Sequence, residues 1–147
     1  MATTKAKAKP ASRSHLGSSL GYRPTSVPKL IEKVEQGIEV AKLERLRQKL
    51  SIPMVEMARL LSIPPRTLDR RMDAGRLTSL ESDRLLRLAR VFEAAVDLYE
   101  DERAAAEWLQ EPARALNFER PLDVARSDVG AREVECLIGR IGHGVFT

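Results

Sequence analysis

One cysteine, Cys136, stands in a chain of 147 residues, which excludes a disulfide framework and a thiolate cluster for zinc. Such sparing use of cysteine fits a reducing compartment, and a cytoplasmic protein is expected. Aromatic residues make up 4% of the chain while hydrophobic residues reach 43%. The interior must therefore be filled by Leu, Val, Ile, Ala and Met, the usual material of helix packed on helix. No apolar run approaches the roughly 18 residues needed to span a bilayer, and the N-terminal residues lack the apolar stretch of a secretory signal. No membrane partner is expected. The two histidines, His15 and His143, have no Cys, Asp or second His at triad or metal-ligand spacing, and no Gly-rich phosphate loop follows a strand. The chain is read as a non-enzyme with no catalytic residue, no metal and no cofactor.

The net charge of +4 conceals an asymmetry. Residues 1–50 carry eleven Lys and Arg against four acids, whereas residues 101–147 carry six against nine. A basic front attracts phosphate backbones or acidic surfaces, and an acidic rear is a poor nucleic-acid binder that needs another role. Three regions follow: a flexible basic tail over 1–27, a helical region over 28–100 and a second over 101–147. In the tail Lys5, Lys7, Lys9, Arg13 and Arg23 occur without an acid. This reads either as an arm for DNA phosphates or as a solubilising tail. Ile31, Val34, Ile38 and Ala41, then Leu43, Leu46 and Leu50, recur at helical spacing, with Gly37 as a break or bend. Their apolar face is available for core packing or for dimerisation.

The segment from Ser51 to Arg76 carries the first motif. Pro53 marks a helix start, and Met54, Met57, Ala58 and Leu61 share one face. A tight break at Ser62-Ile63-Pro64-Pro65 precedes a short helix from Arg66 to Ala74, ended by Gly75. Two short helices so joined, the second rich in arginine, form a helix-turn-helix that resembles the Cro/repressor type. Ser62 stands where Gly is commonest in that motif, and Arg71 where a further apolar residue is often found. With Leu68 and Met72 turned inward, Arg66, Thr67 and Arg70 are the candidates for reading bases from the major groove. Arg59 and Arg71 are the candidates for phosphate contacts. The competing reading makes these arginines a solvated face paired with Asp69 and Asp73.

Thr78-Ser79-Leu80-Glu81 is a capping box opening a long helix whose stripe is Leu85, Leu88, Ala89, Phe92, Ala95, Val96 and Tyr99. This helix is expected to run through both halves. Beyond it, Pro112 ends or kinks the helix that carries Trp108, and Asn117 suits a left-handed position. Pro121 opens a short helix, and Ser127 caps the last one. Val134, Leu137, Ile138 and Ile141 form the inner face of that last helix. Gly142-His143-Gly144-Val145-Phe146-Thr147 is expected to leave the helix and to end in exposed apolar residues.

Several spaced strings in this last third carry a resemblance: Trp108-Leu109, Pro112, Leu116, Arg120-Pro121-Leu122-Asp123, Gly130-Ala131-Arg132-Glu133-Val134-Glu135, Leu137-Ile138-Gly139-Arg140-Ile141 and Gly142-His143-Gly144-Val145-Phe146. Together they resemble the toxin-binding domain of Xre/MbcA/ParS-type antitoxins. Asn117 departs from that pattern, which often has Gly after the Leu116 position. The resemblance implies an all-α antitoxin, with a Cro/repressor-like helix-turn-helix joined by a long helix to a C-terminal toxin-binding domain. It implies a cognate RES-domain toxin as partner, similar in fold to ADP-ribosyltransferases and consuming NAD. The antitoxin would cover the toxin's active site and, alone or as the complex, repress its own operon; the paired half-sites that helix-turn-helix repressors use make a homodimer on operator DNA the expectation. The exposed residues expected to face the toxin are Arg132, Glu133, Glu135, Arg140, His143, Val145 and Phe146, with a tail that is only a frayed terminus as the competing reading of the last residues. The alternative is a plain helix-turn-helix regulator whose rear lobe only dimerises or binds an unrelated ligand.

Overall fold

The computed structural model describes residues 15–144, and across them the chain forms eight α-helices and no β-strand. Helix α1 (Val27–Gln36) starts where Ser26 accepts a hydrogen bond from the Lys29 N–H and Pro28 presets the first turn. It stops at Gly37, whose φ of 93° is left-handed. A Cβ at Gly37 would lie 2.3 Å from the Leu77 carbonyl oxygen, so only glycine fits. The turn aims the Ile38 N–H at the buried Ser82 hydroxyl, 2.7 Å away, and fastens this corner to the middle of the molecule. Helix α2 (Val40–Leu50) then buries Val40, Leu43, Leu46 and Leu50 on one face. The inward residues before it are Leu30 and Ile38, while Ile31 and Ala41 are exposed, which corrects the expected stripe.

Helices α3 (Met54–Leu60) and α4 (Pro65–Ala74) are the helix-turn-helix pair. Ser62 takes the left-handed conformation at φ 56°, the role glycine plays more often in such turns. The Arg84 guanidinium donates to the carbonyls of Leu61 and Ser62 and pins the turn from α5. Gly75 ends α4 at φ 85°. The capping box at Thr78 and Glu81 then starts α5 (Ser79–Tyr99), with both of its reciprocal hydrogen bonds formed.

Helix α5 is the axis of the fold. Besides Leu85, Leu88, Ala89, Phe92 and Ala95 it buries Ser82, Val91 and Glu93, so more than one of its faces is covered. Helix α1 and the turn before it pack on α5 from one side, and α6 (Glu102–Leu109) and α8 (Asp128–Gly142) from another. A 3-10 turn (Arg114–Leu116) and the short helix α7 (Pro121–Val124) link α6 to α8. Helix α8 continues through Gly142, one residue further than the glycine content suggests.

The segment 15–27 is folded, which corrects the expectation of a flexible tail reaching that far; the earlier part of that tail lies outside the described residues. A 3-10 turn at Ser18–Leu20 places Leu20 fully inside the core. Its anchor is Glu93, whose carboxylate accepts from the Gly17 N–H at 3.2 Å, the Ser19 N–H at 2.9 Å and the Ser19 hydroxyl at 2.5 Å. Burial pushes the Glu93 carboxyl above its ordinary range, and these donors only partly offset it.

The two halves are also clamped by charge. The Arg59 guanidinium of α3 donates to Glu56 at 2.8 Å and to Asp123 of α7 at 2.5 Å. Arg120 donates to the same two acids, at 2.6 Å to Glu56 and 2.9 Å to Asp123. Glu56 is held at about 2, chiefly by the Arg59 hydrogen bond, and Asp123 at about 2, chiefly by that of Arg120. Because both carboxyls titrate lower in the folded chain, the clamp stabilises above the ordinary carboxylate range and fades as pH falls toward about 2. The expected outcome is that Arg120→Gln loses up to about 1 kcal/mol near neutral pH, as fits a partly exposed network. Thermal melts at several pH values should show the gap from the parent chain narrowing between pH of about 5 and about 2.

Gly130 allows the close approach of α8 to α7. A Cβ there would sit 1.7 Å from the Val124 carbonyl oxygen, so Gly130→Ala must push the first turn of α8 away. Urea unfolding should register a loss of about 1–3 kcal/mol, the scale of an overpacked contact. An unchanged midpoint would show that α8 does not depend on this contact.

Candidate nucleic-acid and protein-binding surfaces

Helix α4 buries a single residue, Leu68, and leaves most of its surface to solvent. Isolated in this way, a ten-residue helix is suited to enter a groove about 12 Å wide. Arg66 and Arg70 are exposed and Thr67 is half-buried, so the three base-reading candidates share the free part of α4. Neither Arg66 nor Arg70 is in an ion pair among the described residues, so Asp69 and Asp73 do not neutralise them.

Arg59 and Arg71, the candidates for phosphate contacts, are both engaged in ion pairs within the fold. Arg59 is held by Glu56 and Asp123 in the clamp described above. The Arg71 Nε donates to Glu81 at 2.8 Å, and Glu81 is only 7% exposed. Burial pushes the Glu81 carboxyl up, but the Arg71 and Thr78 donors outweigh it and hold the group below its usual range. Both arginines therefore serve the fold first. This pair also explains the missing apolar residue at position 71: an ion pair with the capping box of α5 fills the place. Met72, expected to face inward beside Leu68, is 46% exposed because the inward position at this end of α4 belongs to Arg71.

A second cationic surface emerges that periodicity did not reveal. An open groove is lined by Tyr22, Arg23, Lys29, Lys33 and Lys42, with Glu39 as its acid. The ammonium groups of Lys33 and Lys42 stand 5.1 Å and 4.7 Å from the centre of the Tyr22 ring, within cation–π range. The groove adjoins the C-terminal end of α4, since the Val40 N–H donates to the Gly75 carbonyl and the Leu77 N–H to that of Ile38. The only sequence sign of it was the surplus of Lys and Arg in the first 50 residues.

In the rear half, Arg132 and Glu133 are exposed on α8, and each also meets a neighbour on its own helix. Arg132 lies 3.2 Å from Asp128, and Glu133 lies 3.7 Å from Arg140. Glu135 is half-buried and accepts from Arg90 of α5 at 2.7 Å, a contact that ties α8 down. The Arg140 Nε is buried without a hydrogen-bond partner among the described residues. His143 is exposed, and its Nδ1 lies 2.7 Å from the Gly139 carbonyl oxygen. Val145 and Phe146 lie outside the described residues. Among the described residues no cluster of His, Cys, Asp and Glu is placed to hold a metal ion, and no helix is long and apolar enough to cross a membrane.

Comparison with known proteins matches both halves. Residues 29–90 match the antitoxin Xre-like helix-turn-helix domain, and residues 94–144 match the antitoxin Xre/MbcA/ParS C-terminal toxin-binding domain. The two matches meet within α5. The antitoxin Xre of Yersinia enterocolitica is 38% identical over 120 residues, covering 80% of this chain and 81% of the relative. The antitoxin Xre of Photorhabdus laumondii is 32% identical over 134 residues, covering 90% of each. Agreement over nearly the whole length, on an all-helical frame with an exposed arginine-bearing α4, places the chain in the Xre antitoxin family, as a helix-turn-helix domain followed by a toxin-binding domain.

Proposed function

We propose that this chain acts by binding rather than by catalysis: it is the antitoxin of a type II toxin–antitoxin pair that neutralises a RES-domain, NAD-consuming toxin and represses its own operon. The observation that carries this reading is the junction, on the single helix α5, of a helix-turn-helix domain and a toxin-binding domain. The rear lobe covers the toxin's active site, using the exposed Arg132, Glu133 and His143 and the half-buried Arg140 together with Val145 and Phe146. The unpaired Arg140 Nε supports this role, because a buried donor without an acceptor gains most when a partner supplies one. Glu135, engaged by Arg90, acts here by holding α8 in place. The chain works in the cytoplasm and binds its operator as a homodimer, since paired half-sites about one DNA turn apart match a two-fold protein.

On DNA, Arg66, Thr67 and Arg70 read base edges. Because Arg59 and Arg71 are committed within the fold, the groove cations Arg23, Lys29, Lys33 and Lys42 take over the backbone contacts. Gel shifts across a salt series separate the two roles. Replacing Lys29, Lys33 and Lys42 together by Gln should weaken binding to all sequences and flatten the slope of affinity against salt by about 2–3, nearly one per lost phosphate contact. Arg66→Ala should cost about 1–3 kcal/mol on the operator while leaving the salt slope nearly unchanged. Unaltered binding in both variants would remove α4 and the groove from the DNA surface.

Co-expression tests the neutralising role. The chain should restore growth to cells expressing the product of the adjacent gene, and purified chain should suppress that product's NAD consumption. If the adjacent product stays active and unbound, the remaining reading is a regulator whose rear lobe has another use.

A further inference from the structure

Phe118 is the most exposed aromatic side chain in the described residues, at 69%, and it stands in a conformation that L residues avoid. Its φ is 65°, directly after Asn117 at 56°, so two consecutive non-glycine residues are left-handed. Asparagine accepts that region readily, but a bulky aromatic meets its own backbone there. The loop is not loose. The Ala113 N–H donates to the Glu119 carbonyl at 3.0 Å, the Phe118 N–H to Ala113 at 2.9 Å and the Glu119 N–H to Leu116 at 3.0 Å. Leu116 is buried at one end of the loop, and Arg120 at the other is fixed by Asp123 and Glu56. The chain thus holds a strained residue rigidly, with its ring turned out of the core. Local strain persists where the surrounding structure over-determines it, and it concentrates at binding sites.

We infer that Phe118 is an anchor of the toxin interface, a ring set in advance to enter an apolar socket on the toxin surface. The inference rests on the antitoxin reading above and extends the contact surface beyond α8. The occupant is the toxin because Phe118 lies well inside residues 94–144, the part matched to a toxin-binding domain. Arg114 and Glu119, close to Phe118 along the chain, are exposed as well, so a partner that receives the ring also meets a base and an acid and is complemented by the opposite charges. A ring already held in its bound position forfeits little freedom on association, which is what makes such residues effective anchors.

Two substitutions at this position separate strain from binding. Phe118→Gly removes the ring and relieves the left-handed strain, whereas Phe118→Ala removes the ring and keeps most of the strain. Titration of full-length chain against the purified adjacent-gene product should show both variants binding at least about tenfold more weakly, the scale of an aromatic anchor. The melting temperature of Phe118→Gly should equal or exceed that of the parent, so the lost affinity cannot be assigned to unfolding. Parent-like toxin binding by both variants would overturn the inference while leaving the antitoxin reading intact. Loss of self-association with toxin binding retained would assign the ring to a second copy and overturn it as well. A parent chain that fails to bind the adjacent product would defeat the antitoxin reading itself, and this inference with it.

Discussion

The whole arrangement depends on one helix being covered from more than one side. Helix α5 buries Leu85, Leu88, Ala89, Val91, Phe92 and Ala95, and these residues serve helices from both halves of the chain. Neither half can complete its core without α5, so the helix-turn-helix and the rear lobe share one interior rather than meeting at a surface. Polar ties reinforce the same axis. Ser82 holds the α1–α2 corner, Glu93 holds the turn at Ser18–Leu20, and Arg90 holds α8 through Glu135. The outcome is a stiff spacer between two surfaces of opposite charge preference.

Placement of charge then follows from what the fold consumes. Arginine is plentiful, but the structure divides it into two groups with different work. Arg59, Arg71, Arg90 and Arg120 are spent on acids that join one element to another. Arg66, Arg70 and the cations around Tyr22 face solvent without such partners. Internal pairing neutralises two of the acids around the helix-turn-helix, Glu81 through Arg71 and Glu56 through Arg59, while Asp69 and Asp73 stay exposed on α4 itself. An exposed positive surface near a helix-turn-helix is as much a product of those ion pairs as of the lysines that line it.

Much of this was legible in the residues themselves. Gly37, Gly75, Thr78 with Glu81, and Ser127 mark helix ends through local chemistry, and each does so in the structure. The stripe of α5 announced its burial from Leu85 to Ala95, although Val96 is only half-buried and Tyr99 is exposed, and the spaced pattern of the last third identified the rear lobe. What escaped was settled by partners far away in sequence. Leu20 lies in a Ser- and Gly-rich stretch with no periodicity, and its burial depends on Glu93, which grips the adjacent Ser19 from 74 residues further on. Arg59 looks free until Asp123, 64 residues later, is folded against it. Met72 and Arg71 exchanged inner and outer places because Glu81, on the next helix, offered an ion pair at the very end of α4. Helical spacing cannot register any of these, since it reports only which residues of one helix share a face.

The shared core sets both surfaces on one helix: α5 packs on α8 of the rear lobe and is tied to the helix-turn-helix through Arg84 and Glu81. Native-state hydrogen exchange on the free chain tests that sharing most directly. If α5 unites the halves, the slowest amides of α2, α5 and α8 open together, with one free energy equal to that of global unfolding. Exchange of α8 through a separate, lower-energy opening, while α2 and the first half of α5 stay protected, would contradict it.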